Sequence, residues 1–516
     1  MKSLSVFFIF FISYSFSQTF SDDVAQLFYN NCTTCHNPNG IGPFSIMTYE
    51  DVTVNAGMIY DAIAQDQMPP WPPQESYVSF AHSRTLTENE KTTMLDWLTN
   101  GMPEGNPANT PAPPVFNSGS LLGAGDLEIQ MPSYMSKASS GQDDYVCFSM
   151  PTGLLANRSI KAMEVVPGNP EIVHHCLVYI DETGAYPTDS TSGTCNGPTT
   201  NSTLVGGYTP GSTPLIFPNN GGLKLGMDIP ANSNIVFALH YPEGSYGQFD
   251  STKVILHFYP NGETGIRQVS AAPIIQNWSF VLPPEQFTSV NGSYANIPVN
   301  ISLLSVFPHM HLLGKSIKSY ALAPTNDTIR FINIPDWDFH WQDFYIFKNM
   351  VKIPPGSTIK GEGVYDNTSA NPHNPTLPPQ TVYPGLNTLD EMFLIYFHYL
   401  PYVNGDELYD IEELTSLSLA DFDIPEKGEI DIYPNPMSDQ LSIAIEGTQN
   451  LNTVSVSIYD LKGSLVKKIA QGKSFTDELI IPWDGHNENG VSVQKGAYYV
   501  SILLNQQHFY KKLIKE

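Results

Sequence analysis

The chain has 516 residues and a formal net charge of -27. That balance excludes nucleic acid and an anionic membrane surface as partners, because both would repel it. Only 5 cysteines exclude a disulfide-built miniature, while 42 prolines, 38 glycines and 12% aromatics favour many short strands joined by turns over long helices.

Residues 1–17, MKSLSVFFIFFISYSFS, read as a secretory signal peptide cleaved near Ser17: one Lys, a short apolar run, then small residues flanking Phe16. No later window approaches a membrane span, so no transmembrane segment is expected in the mature chain. The length predicts about three or four domains. A Pro- and Asn-rich stretch at 106–120 and an acidic one at 405–429 read as linkers. They divide the chain into a first domain, 18–105, a middle of two sandwich-sized units, 121–268 and 269–404, and a tail, 430–516.

In the first domain, DDVAQLFYNNC, YEDVTVNAGMIYDAIAQ and TENEKTTMLDWLTNG carry apolar residues at helical spacing. Thr87 and Glu90 form a capping box and Gly101 a stop, which predicts three short helices around a small core. Cys32, Cys35 and His36 spell C-x-x-C-H, the pattern of c-type haem attachment by two thioethers with the histidine on the iron. A zinc half-site or a thioredoxin-like pair are the rivals, but no second C-x-x-C exists and no strand pattern precedes the motif. Met68, in QMPPWPP, is the preferred sixth ligand; Met47, Met58, Met94 and Met102 are the alternatives. The succession CTTCH, GIGPFS, MPPW and LTENEKTTMLDWLTNGMPEG resembles small cytochrome c domains fused to bacterial secreted oxidoreductases, which also implies Met68.

The middle carries histidines in β-like runs: His174 and His175 in IVHHCLVYI, His240 in IVFALHYPEG, His309 and His311 in VFPHMHLLGKS. Residues two apart on a strand face one side, so His309 and His311 can reach one metal. Neighbours face opposite sides, so His174 and His175 share a metal only where the strand is distorted or the rings curl around it. A lone histidine such as His240 is more often structural than a ligand. Cys176 beside His175 invites a blue-copper reading, but no nearby His and Met complete that set.

In order, VHHCLVY, LHYPEG, HMHLLGKSIKSY, GEGVYDNT and LDEMFLIYFHY resemble the copper type II ascorbate-dependent monooxygenases. The resemblance implies two antiparallel β-sandwiches facing across a solvent-filled cleft, each with one copper. It makes His174, His175 and His240 ligands of an electron-storing copper, and His309, His311 and Met392 ligands of the copper that meets oxygen. The soft thioether of Met392 suits copper(I). Peptide-amidating members carry an arginine and an asparagine where this chain has Phe307 and Leu394, while Tyr396 keeps the family's polar group. A small, more apolar or aromatic organic substrate is therefore expected rather than a peptide carboxylate. Cys147 and Cys195 are expected to bridge within the first sandwich, leaving Cys176 unpaired, although three cysteines permit three single-bridge choices.

The tail, from IDIYPNP through WDGHNENG and KGAYYVSI to KKLIKE, resembles the C-terminal sorting domain of type IX secretion cargo, a small β-sandwich. Together these readings predict a multidomain chain: a small all-α cytochrome c domain, two antiparallel β-sandwich copper domains and a small C-terminal β-sandwich. The expected protein is a secreted or cell-surface monooxygenase that hydroxylates a C–H bond with dioxygen. It would use two copper ions and one c-type haem that relays electrons from an external donor, and the type IX secretion machinery is a further expected partner. The alternative is a copper- and haem-binding electron-transfer surface protein without hydroxylase activity.

Overall fold

The computed structural model describes residues 18–516 apart from 39, 41, 115–119, 141, 196, 199–201, 221, 340, 387–388, 419–429, 439, 447–451, 461–464, 477, 489 and 505–506. The expected signal peptide lies outside the described residues. The chain separates into a small unit, residues 18–38, Gly42–Pro70 and Arg84–Pro114, and a large unit that takes Trp71–Ser83 and Val115–Glu516. Among the described residues no helix is long and apolar enough to cross a membrane.

The small unit is helical: Ala25–Asn31, Tyr49–Val54, Ala56–Ala64 and Glu88–Thr99. Thr87 and Glu90 form the expected capping box, and Gly101 follows the last helix with φ +88°. The single helix expected across the middle is instead two. Asn55 leaves helical geometry at ψ 9°, and its side-chain amide donates to the Asp51 carbonyl at 2.7 Å, a local bond that competes with the helix ladder. Phe20, Phe28, Met94 and Trp97 fill the core.

In the large unit the inner strands are buried almost continuously, while Gly314–Leu322 and Thr358–Asn367 alternate buried and part-exposed residues. Asp144–Pro151, Asn234–Tyr241, His175–Asp181 and Ser202–Tyr208 form an antiparallel sheet in that order. Its buried Val146, Phe148, Val178 and Phe237 share one core with Ile160, Met163, Val254 and Leu256 of a second sheet, which makes a sandwich. A second pair follows. Ser270–Gln276, Leu394–Pro401, Ile301–His309 and Tyr345–Ile353 form one sheet, and Gln286–Tyr294, Thr358–Asn367, Gly314–Leu322 and Thr328–Ile334 the other. Val306, Phe347 and Phe397 of the first meet Phe331, Ile359 and Tyr365 of the second in a common core.

The segment 71–83 has no regular structure but is built into this second sandwich. Phe80 bridges to Phe347, the Ala81 N–H donates to the Ile346 carbonyl at 2.8 Å, and the Trp71 ring meets Tyr345 edge-on at 5.3 Å. The tail folds as a three-stranded and a four-stranded sheet over a core that includes Met437, Val456, Trp483 and Val500.

One ion pair anchors the last strand of the second sandwich. Arg267 donates through both guanidinium nitrogens to Asp406 at 2.6 and 2.7 Å, and Ser302 adds a third bond at 2.6 Å. Burial pulls the Asp406 carboxyl upward, but the bonds from Arg267, Ser302 and the Val403 N–H overcome it and hold the group below its ordinary value. A depressed folded pKa contributes stability that is complete above the unfolded value and lost as pH falls through the folded one. Asp406→Asn is expected to cost about 3 kcal/mol at pH 7. It should also flatten the loss of urea stability seen below about pH 4; equal urea midpoints for both proteins at pH 7 would refute this.

Candidate metal centres

The first cluster forms where a strand begins. His175 opens its strand and pairs directly with His240 across the ladder, while His174 precedes the strand and its N–H donates to the His240 carbonyl at 3.0 Å. Because His174 stands outside the pleat, the opposite-face rule for neighbours does not bind it. Its Nδ1 lies 3.4 Å from the Nδ1 of His175, which is itself 3.4 Å from the Nδ1 of His240. Ligand atoms of all three rings lie within 4.8 Å of one another.

The fully buried His240 also shows which nitrogen faces the cluster. Its Nε2 is 2.7 Å from the Asp143 carboxylate, which can only accept, so Nε2 carries the proton and Nδ1 the lone pair. Burial works against the Asp143 charge, yet the hydrogen bonds from His240 and the Glu243 N–H hold its carboxyl below the ordinary value. Tyr145 stacks flat on His240 at 4.3 Å and 5°.

The second cluster follows from strand alternation. Phe307, His309 and His311 step along one side while Met310 between them is buried in the core. On the neighbouring strand Phe307 pairs with Tyr396 and His309 with Leu394, and Met392 stands two residues before Leu394. Two rows of alternate residues thus lie side by side, and all six line one cavity.

Partners from distant loops fix the imidazoles. Gln342 donates its amide N–H to the Phe339 carbonyl at 2.7 Å, which turns its oxygen toward His309 Nδ1 at 2.5 Å. His311 Nδ1 donates to the Asp390 carbonyl at 3.0 Å. Both rings therefore carry the lone pair on Nε2, the state a divalent or monovalent copper needs. Burial pushes His309 down to about 4, so it stays neutral at working pH.

Met392 is held through its backbone: its carbonyl accepts from the Tyr365 hydroxyl at 2.6 Å and its N–H donates to Glu391 at 3.3 Å. The same buried carboxylate accepts from the N–H groups of His311 at 2.9 Å and Leu313 at 2.6 Å. Burial pushes Glu391 up to about 8 against those three donors.

The two clusters look onto the same space. A solvent-connected cavity is lined by His175 and Tyr179 of the first sandwich and by His309, His311 and Met392 of the second. The Phe339 ring stands 6.3 Å from His240 and 5.9 Å from His311, so two ring contacts link the clusters. The facing surfaces are closed along part of their length, where Tyr179, Leu204 and Ala238 pack with Phe307. The expected Cys147–Cys195 bridge is present there, and Cys176 is a buried free thiol of the sandwich core. Gly197, at φ +93°, gives the cavity wall its close approach to Tyr179: a Cβ would lie 2.6 Å from that ring.

In the small unit Cys32 and Cys35 are free thiols flanking one turn, and burial pushes Cys32 up to about 12. His36 Nδ1 donates to the Phe44 carbonyl at 3.0 Å, leaving the lone pair on Nε2, and a Cβ on Gly42 would meet that Nδ1 at 2.6 Å. Of the methionines weighed, Met94 is buried in the core, while Met58 and Met68 are exposed.

Comparison with known proteins finds two matched segments and several distant relatives. Residues 279–410 match the family model described as copper type II ascorbate-dependent monooxygenase, C-terminal domain, a span that contains His309, His311, Met392 and Tyr396. Residues 431–516 match a secretion system C-terminal sorting domain. Tyramine beta-hydroxylase of Caenorhabditis briggsae is 24% identical over 262 residues, 46% of this chain and 41% of that protein. DBH-like monooxygenase protein 1 is similar at 23% over 278 residues in Homo sapiens and 25% over 283 residues in Mus musculus, each covering 50% of this chain and 44% of the relative. The match spans less than half the length of these relatives.

Asp143, Gln342, Glu391 and Phe339 were not singled out by the sequence. Residues 279–410 are thus similar to the C-terminal domain of the copper type II ascorbate-dependent monooxygenases, a family that implies copper, and residues 431–516 to a secretion sorting domain.

Proposed function

We propose that the protein is a secreted copper-dependent monooxygenase that hydroxylates a C–H bond of a small organic substrate. The observation that carries this reading is that His175 of one cluster and His309, His311 and Met392 of the other line a single cavity. One oxygen atom of dioxygen enters the C–H bond, and the other leaves as water with two electrons and two protons.

The residues fit copper: three Nδ1 atoms converge in one cluster, and two tautomer-locked Nε2 atoms share a wall with a thioether in the other. Copper held there would supply a stored electron at His174, His175 and His240 and oxygen activation at His309, His311 and Met392. The chain's own work is positional. Gln342 and Asp390 fix the imidazoles, Glu391 and Tyr365 hold the Met392 backbone, and Phe307, Leu394 and Tyr396 offer the surface against which substrate lies.

A c-type haem held by Cys32, Cys35, His36 and Met68 would supply the electrons from an external donor; the His36 Nδ1 bond to the Phe44 carbonyl, which leaves the lone pair on Nε2, fits that role. The sorting domain supports delivery to the cell surface or medium by the type IX machinery.

Metal counting with an oxygen-consumption screen tests the reading. Two coppers per chain with substrate-dependent uptake support it; one or none, without uptake, favours the electron-transfer alternative. For the relay, pre-reduced protein mixed with oxygen and substrate should oxidise its haem faster with copper loaded than without.

A further inference from the structure

The cavity holds apolar and aromatic surface on every side and no fixed charge. Among its described lining residues there is no Asp, Glu, Lys or Arg. Phe307, 2% exposed, lies in its wall at the position that faces Tyr396 across the ladder. That ring cannot swing aside, because it is one member of a column. Phe344 stacks on it at 4.7 Å and 20°, and the buried His398 stacks on Phe344 at 4.5 Å and 6°. The column ends on Ser305, whose hydroxyl is 2.9 Å from His398 Nδ1. At the rim Trp278 and Leu386, each 41% exposed, extend the apolar lining outward.

The polar groups present are uncharged. Burial raises the Tyr396 phenol to about 12 and the Tyr179 phenol well above its ordinary value, so both remain protonated. The Gln276 carbonyl is taken by the Trp278 indole N–H at 2.9 Å. A charged group carried into such a space loses its hydration and gains no opposite charge. Copper would add positive charge at the His309 end, which disfavours an ammonium further; a carboxylate would meet that charge only at the metal itself, because the Phe307 and Leu394 side chains it would lie against offer it no partner.

Asp343 lines a smaller adjoining cavity that shares His175, Phe307 and His309 with this one, while the buried Glu391 carboxylate is turned to the backbone N–H groups of His311, Leu313 and Met392. The Asp343 carboxylate accepts from the Phe344 N–H at 2.8 Å.

We propose that the cavity selects a neutral aromatic substrate, bearing at most an uncharged oxygen substituent that the Tyr179 or Tyr396 hydroxyl can meet, and rejects both amines and carboxylates. This deepens the function proposed above and rests on it for the reaction, but not for binding. It sets the chain apart from a relative named for tyramine, a cationic amine at neutral pH.

Three probes with one ring and a benzylic C–H test it: 4-ethylphenol, phenethylamine and 3-phenylpropionate. They are offered to the copper-loaded full-length chain, first without reductant for calorimetric binding, then with reductant for product. The neutral probe should bind at least tenfold more tightly than phenethylamine and show at least tenfold higher kcat/KM than either charged probe. Phe307→Arg should move preference toward phenylpropionate and Leu394→Glu toward phenethylamine; should either fail to fold, as read by circular dichroism, the other carries the test.

Charged probes turned over as well as 4-ethylphenol would overturn the proposal. So would tight phenethylamine binding that Asp343→Asn abolishes. If nothing is hydroxylated, the binding ratio decides alone: a neutral preference keeps the substrate class while the oxygenase reading falls.

Discussion

His309→Ala is expected to remove one of the two coppers proposed above and to lower substrate-dependent oxygen consumption by about a thousandfold, equivalent to about 4 kcal/mol of barrier. The reason is that this ring has no substitute. Its Nδ1 is committed to Gln342, and its Nε2 faces the cavity beside His311 and Met392. The His174, His175 and His240 cluster sits on the other sandwich, with Asp143 rather than Gln342 as its brace. Metal analysis should therefore read one copper, and the cupric resonance signal of the remaining ion should match that of the parent protein. Gln342→Ala should give a milder version, loosening the ring and weakening metal binding about ten- to a hundredfold. Two coppers retained in His309→Ala, with turnover within tenfold of the parent, would sink the assignment of this ring.

The second large effect belongs to Asp143. Asp143→Asn keeps an acceptor oxygen for the 2.7 Å bond from His240 Nε2 but removes the negative charge that makes the imidazole a better donor. Copper affinity at that cluster is expected to fall about ten- to a hundredfold in competition titrations, while the His309 cluster keeps its own. Because Asp143 is part-exposed and the substitution is isosteric, thermal stability should change little. Unchanged affinity would show that the carboxylate merely fills space.

Much of this arrangement follows from strand period. Phe307 and His309 beside Tyr396 and Leu394 follow once both runs are strands, and His311 and Met392 carry the same alternation two residues past the paired ends, with Met310 turned to the core. The convergence of His174 with His175 does not, because it depends on where the strand starts. Met392 carries no signal of its own among the apolar residues that follow it; only the family resemblance singled it out.

Gln342, Asp143 and Glu391 escaped for a different reason. They reach their histidines across 33, 97 and 80 residues, and no local pattern reports a side chain that arrives from another loop. The broken helix at Asn55 is a smaller case of a side-chain bond overriding periodicity.

The segment from Trp71 to Ser83 has a practical consequence for anyone dissecting the chain. A cut that discards everything before the Pro-rich linker would look like the removal of one module, yet it would also strip Trp71 and Phe80 from the wall of the second sandwich. The amino-terminal part is therefore not a detachable cartridge. A shortened version meant to study the copper-family region alone would need residues 71–83 supplied in some form, and insolubility of a version without them would say nothing about the role of the helical part itself.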